Sequence, residues 1–172
     1  MSHTISRPGR FSRLAAGLTV AAAATATTLL SAAPAHAQPN SVSISTGGGS
    51  TMSISGTLFR DVLTATGAGS TVTLKDDSGI AITAIGPNCQ SFGATAQCTG
   101  VSTISFTGDA GNDVFNNETS RRSTLNGGSG TDVLLGGSGD DSLFGSAGTA
   151  DRVFGGAGSD LCIAEFEKDC ER

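Results

Sequence analysis

The sequence predicts an all-β chain: a parallel β-roll, or β-solenoid, over the C-terminal half, preceded by short β-strands that continue it or pack on it. Three observations carry that prediction. Gly127–Ile163 repeats one nine-residue phrase as GGSGTDVLL (Gly127–Leu135), GGSGDDSLF (Gly136–Phe144), GSAGTADRVF (Gly145–Phe154, one residue longer) and GGAGSDLCI (Gly155–Ile163). Upstream, residues 50–107 alternate apolar and polar residues in short runs rich in Ser, Thr, Val and Ile, the period of a strand. No segment beyond residue 37 supports a helix of ordinary length.

Residues 1–37 read as a secretory signal peptide. Arg7, Arg10 and Arg13 form a positive start, Leu14–Leu30 is an apolar run, and Ala35-His36-Ala37 is a small-residue cleavage site that leaves Gln38 as the new N-terminus. Residues 38–49, ending in Gly47-Gly48-Gly49, read as a flexible lead-in. Within 50–107, Thr71-Val72-Thr73-Leu74, Ile80-Ala81-Ile82-Thr83 and Val101–Phe106 are strands punctuated by Gly and Asp-Asp. The repeat region spans 108–163. Gly108–Asn116 has Gly at positions one and four, Asp113 at six and Phe115 at eight, and Glu118–Asn126 has Ser123 where Asp belongs. Even Gly56–Thr64 carries Asp61 and Leu63 at the corresponding places. Residues 164–172, polar and ending beyond Cys170, suit a cap on the last coil, with one irregular turn over Glu165–Arg172.

Composition narrows the function classes. Three of the ten basic residues lie in the signal segment, leaving seven against fifteen acidic, a net charge of −8. Such a chain is a poor partner for nucleic acid or an anionic membrane and a good one for divalent cations. Both histidines, His3 and His36, fall before residue 38. Without them there is no Ser-His or Cys-His machinery and no usual zinc set, so no enzyme is expected. Acidic pairs such as Asp76/Asp77 and Asp140/Asp141 sit on turns without an aromatic platform for sugar. The four cysteines of an exported chain predict two disulfides. Closeness in sequence favours Cys89 with Cys98 and Cys162 with Cys170, each contributing roughly 2–3 kcal/mol.

The spacing also makes a metal site. In a β-roll each nine-residue unit is one strand and one tight turn, so alternate units stack on the same edge at about 4.8 Å. Position eight points inward: Phe115, Leu125, Leu134, Leu143, Val153 and Cys162. Position six gathers Asp113, Asp132 and Asp151 on one edge and Ser123, Asp141 and Asp160 on the other. Carboxylates at that spacing repel by roughly 1–3.5 kcal/mol. Calcium takes six to eight oxygens at about 2.3–2.6 Å in a flexible shell, so an ion shared between rungs, with turn carbonyls, turns the repulsion into attraction. The pairs expected to share one are Asp113/Asp132, Asp132/Asp151 and Asp141/Asp160. Arg121 and Arg122, in the turn that lacks an Asp, read as a solvated loop; the alternative is a guanidinium standing in for calcium against Asp140 or Asp141. Position nine, apolar at Leu135, Phe144, Phe154 and Ile163, forms outward stripes expected to be covered by neighbouring chain.

The Gly-Gly-x-Gly-x-Asp-x-apolar-x phrase resembles the hemolysin-type calcium-binding repeat, also called repeats-in-toxin. The resemblance implies a calcium-stabilised β-roll with ligands at Asp132, Asp141 and Asp160, and at Asp113 through the GxGND form. Ala150 as an extra residue before Asp151, and Ser146 in place of the unit's second glycine, depart from the pattern. The reading is a secreted calcium-binding protein with Ca2+ as its cofactor. The alternative is an extracellular adhesive or structural module that binds an unidentified extracellular or cell-surface partner through its β-surface, calcium being incidental.

Overall fold

The computed structural model describes residues 41–46 and 50–171; residues 1–37, expected to be a signal peptide, lie outside them. All regular structure among the described residues is strand. The upstream strands are β1 (Ser41–Thr46), β2 (Thr51–Ser55), β3 (Val62–Ala68), β4 (Thr71–Asp76), β5 (Ala81–Ile85), β6 (Cys89–Phe92) and β7 (Thr95–Cys98). The repeat region and tail supply β8 (Thr103–Thr107), β9 (Val114–Asn117), β10 (Arg122–Gly130), β11 (Val133–Gly137), β12 (Ser142–Gly148), β13 (Arg152–Gly156), β14 (Leu161–Ile163) and β15 (Phe166–Lys168).

From β8 onward the chain alternates between two sheets. One has the order β14-β12-β10-β8-β2-β1-β5 and the other β15-β13-β11-β9-β3-β4-β7-β6. Every pairing among β8 to β15 is parallel, an arrangement consistent with a β-roll. β2 and β3 join the same parallel stacks, on β8 and β9 respectively. The chain then leaves as the antiparallel strands β4, β7 and β6.

Two expectations are corrected here. Ser41–Thr46, assigned to a flexible lead-in, is strand β1, antiparallel to β2 and parallel to β5. Its Ser-Val-Ser-Ile-Ser-Thr run has period two, and Ile44 is fully buried opposite Ile54. In the tail, Phe166–Lys168 is not an irregular turn but strand β15, drawn onto the open edge of β13.

Inward residues form columns. Ile54, Phe106, Leu125, Leu143 and Cys162 stack in one sheet, and Leu63, Phe115, Leu134 and Val153 in the other, all buried. The two columns meet where the Phe106 and Phe115 rings stack 4.6 Å apart. Each such side chain contributes about 1.5–3 kcal/mol by leaving water, so a core without Trp or Tyr is built from repetition. The outward position-nine residues Leu135, Phe144 and Phe154 are half-buried and Ile163 is exposed. Phe154 is covered by the Phe166 ring, 5.9 Å away, and by the Arg152 guanidinium.

Turn geometry explains the second glycine of each unit. Gly128, Gly137 and Gly156 have φ of 97°, 104° and 103°, values a Cβ disfavours. In the longer unit Ser146 takes the place aligned with Gly128, at φ 76°, and the extra Ala150 sits at φ 66°. The insertion is thus absorbed within its turn, and Asp151 stays in register.

Both local disulfides form, Cys89–Cys98 and Cys162–Cys170. The first closes β6 on β7; the second ties the tail to the last inward position of the repeats. Arg121 is buried and serves the fold. Its Nε donates to the Val101 carbonyl at 3.0 Å and its Nη2 to the carbonyls of Gly69 and Thr71, fastening the β3–β4 hairpin to the repeat region.

Candidate metal centre

The position-six residues are inward-facing for the same reason as position eight, since two steps along a strand return to the same face. That puts Asp113, Asp132, Asp141, Asp151 and Asp160 inside the molecule, each no more than 2% exposed. They fall into the two expected rows. Asp61, upstream, extends the first row and is fully buried.

Each carboxylate uses one oxygen to hold the preceding rung. The Asp61 N–H donates to Asp113 Oδ1, the Asp113 N–H to Asp132 Oδ1 and the Asp132 N–H to Asp151 Oδ1, all at 2.8 Å. In the second row the Ser123 N–H and hydroxyl donate to Asp141 Oδ1 at 2.6 and 2.8 Å, and the Asp141 N–H donates to Asp160 Oδ1 at 2.9 Å. These charge-assisted bonds are a feature that spacing did not reveal: the rows are stitched by backbone donors as well as set against one another by charge.

The other oxygen has no such partner. Oδ2 of Asp113, Asp132, Asp141, Asp151 and Asp160 is buried and accepts no hydrogen bond. Its surroundings explain the first glycine of each unit. A Cβ on Gly136 would lie 2.6 Å from both Asp141 Oδ2 and the Gly155 carbonyl of the next rung. A Cβ on Gly108 would likewise overlap Asp113 Oδ2 and the Gly127 carbonyl. Bare glycine therefore lets two acceptors from neighbouring rungs converge on its Cα–H, with no N–H or O–H donor between them. Burying such a group unpaired is costly. A proton or a cation must answer it.

The titration behaviour agrees. Burial, followed by the Asp61 and Asp132 charges, pushes the Asp113 carboxyl up to about 7 against the hydrogen bond that lowers it. Asp141 is pushed up to about 6, again chiefly by burial, with Asp160 adding to it. Asp132 is raised by burial and by Asp151. Among the described residues no three His, Cys, Asp or Glu side chains gather to hold a metal alone; the acceptors along each row are carboxylate oxygens and turn carbonyls. Oxygen-only donors suit calcium better than zinc.

Residues 126–162 match the RTX calcium-binding nonapeptide repeat family, in 4 copies. No curated protein and no solved structure matches the chain. The RTX repeats hold Asp132, Asp141, Asp151 and Asp160, whereas Asp61 and Asp113 lie upstream of the matched segment yet share the first row. The row changes character at its head: Asp61 Oδ2 accepts the Thr57 N–H at 2.7 Å, so this rung is satisfied by the protein itself. Asp76 Oδ2 is also buried without a partner, but Asp76 lies at the end of β4, where its Oδ1 accepts the Ser78 and Ile80 N–H groups.

Neither arginine reading fits Arg121, which is buried. Arg121 points away into the hairpin carbonyls, and Ser123 occupies Asp141 Oδ1. Arg122 does reach Asp140, at 3.7 Å, but both side chains are well exposed, and such pairs contribute little. Sequence reasoning missed two residues that continue the rows beyond the RTX repeats. The Asp151 N–H donates to Glu165 Oε2 at 3.1 Å and the Asp160 N–H to Glu171 Oε2 at 2.7 Å. Both glutamates belong to the tail, where no repeat phrase marks them.

Proposed function

We propose that this is a secreted calcium-binding protein, not an enzyme, whose repeats fold as a β-roll held together by calcium between rungs. The observation that carries the reading is the set of buried, unpartnered Oδ2 atoms, of which those of Asp113, Asp141 and Asp160 face a carbonyl of the adjoining rung or tail. Asp113/Asp132, Asp132/Asp151 and Asp141/Asp160 are the carboxylate pairs that would hold the ions. Bound calcium supplies the positive charge that converging acceptors lack. The protein contributes the rest: glycines keep the space open, backbone N–H groups fix each carboxylate through Oδ1, and the apolar column excludes water from one side.

Export is supported by the signal-like residues 1–37, and the absence of catalysis by a chain with no histidine after residue 36. Outside the cell millimolar calcium would favour the closed rows, because ion binding adds directly to folding free energy. Dependence on the ion should begin at Asp113, since Asp61 is served by Thr57.

The test is equilibrium dialysis against calcium together with far-ultraviolet circular dichroism. Uptake of several ions per chain, with a gain in β-signal, is expected. A chain equally ordered after exhaustive chelation that takes up no calcium at millimolar concentration would leave the adhesive-module alternative standing.

A further inference from the structure

We propose that the C-terminal tail builds a terminal calcium site on Asp160, from Glu171 and the Asp169 carbonyl, and that the Cys162–Cys170 disulfide holds this site closed. The inference rests on the calcium reading above and extends it to residues outside the repeats.

Within the second row, the Asp141 N–H reaches a carboxylate 19 residues ahead. Residues 164–172 carry no further copy of the phrase, yet the same contact is made at a separation of 11, to Glu171. The backbone copies the repeat as well. A Cβ on Gly155 would overlap Asp160 Oδ2 and the Asp169 carbonyl, just as one on Gly136 would meet Asp141 Oδ2 and the Gly155 carbonyl. The Asp169 carbonyl thus stands where the next rung's glycine carbonyl stands elsewhere. It is fixed there by the Gly156 N–H at 3.2 Å, while the Glu171 N–H donates to the Asp160 carbonyl at 3.0 Å. Asp160 Oδ2 remains buried and unpartnered, like its counterparts in the interior.

A free tail would have to be ordered each time an ion bound, and that entropy opposes binding. Cys170 lies between Asp169 and Glu171, and its bond to Cys162, the last inward residue, confines both donors to the end of the row. Asp169 itself takes a left-handed φ of 54° to aim its carbonyl inward. The disulfide therefore acts on calcium affinity by keeping the donors assembled.

Calcium uptake is counted by equilibrium dialysis on the full-length chain, as wild type, Glu171→Gln, Glu167→Gln and the double variant Cys162→Ser with Cys170→Ser. In Glu171→Gln the amide side chain keeps an oxygen for the Asp160 N–H, so the fold is retained. We expect Glu171→Gln to lose one ion per chain, or to weaken one site at least tenfold, and the double serine variant to do the same. Glu167→Gln should match wild type, since Glu167 serves only the Ala164 N–H. If wild type takes up calcium and Glu171→Gln is indistinguishable from it, the terminal site is refuted while the interior reading survives. A double serine variant with wild-type uptake refutes the role of the disulfide. No uptake by wild type refutes both readings together.

Discussion

Asp141→Asn should move stability in opposite directions with and without calcium. In the ion-free protein the Asp141 carboxyl is pushed from 3.8 to about 6. Keeping it ionised at neutral pH therefore costs about 3 kcal/mol, at about 1.4 kcal/mol per pH unit. Asparagine removes that charge. Its Oδ1 still accepts from Ser123, and its amide nitrogen can donate to the Gly155 carbonyl that faces Oδ2, a contact worth about 1 kcal/mol. In chelator the variant should be more stable than wild type by about 1–3 kcal/mol. With calcium the order reverses: an amide is a neutral ligand where the ion needs a carboxylate, and a site at a thousand times its dissociation constant contributes about 4.1 kcal/mol. Guanidinium unfolding of both proteins, in chelator and in millimolar calcium, followed by far-ultraviolet circular dichroism, measures the four stabilities. A variant less stable than wild type in chelator, or one that keeps the full calcium increment, refutes the assignment of Oδ2 to the ion. Asp141→Ala separates the effects. It removes the charge as asparagine does but strands the Ser123 N–H, so in chelator it should be less stable than Asp141→Asn by about 1–3 kcal/mol.

Two further outcomes follow from the same geometry. Because the folded-state values of Asp113 and Asp141 lie above 3.8, at about 7 and about 6, their contribution to ion-free stability is fully present below pH 3.8 and is lost as pH rises through those values. Thermal midpoints in chelator should therefore fall between about pH 4 and pH 7, whereas midpoints in saturating calcium should not; a rise with pH in chelator would contradict the unpaired carboxylates. Ala150→Gly should raise stability by about 1 kcal/mol in both conditions, because Ala150 holds a left-handed φ of 66° that glycine adopts freely; denaturant midpoints read this directly, and no gain would mean the insertion is unstrained.

Much of this molecule is legible in the chain because its period is. A nine-residue phrase fixes which residues share a rung, and strand geometry puts positions six and eight on one face. Asp132, Leu134 and their equivalents are therefore inward from the sequence alone, and the nearness of each cysteine pair favoured the two bridges that form. The alternation in Ser41–Thr46 was just as readable, but three following glycines masked it.

What the period does not reach, only the tertiary structure decided. β3 stacks on β9 with Asp61 bonded to Asp113 across 52 residues, and the antiparallel strands between them break any repeat that would have announced it. Arg121 offers the same lesson. Its partners are carbonyls of that inserted hairpin, while sequence offered only the nearby aspartates. Glu165 and Glu171 continue the carboxylate rows because an open strand edge captures whatever backbone and acid the tethered tail can present, not because of any phrase they share with the repeats. The division of labour within each carboxylate, Oδ1 to a backbone N–H and Oδ2 left free, is likewise a property of stacked rungs. A repeat specifies its neighbours one coil away; how each oxygen is satisfied depends on the distances at which those coils finally pack.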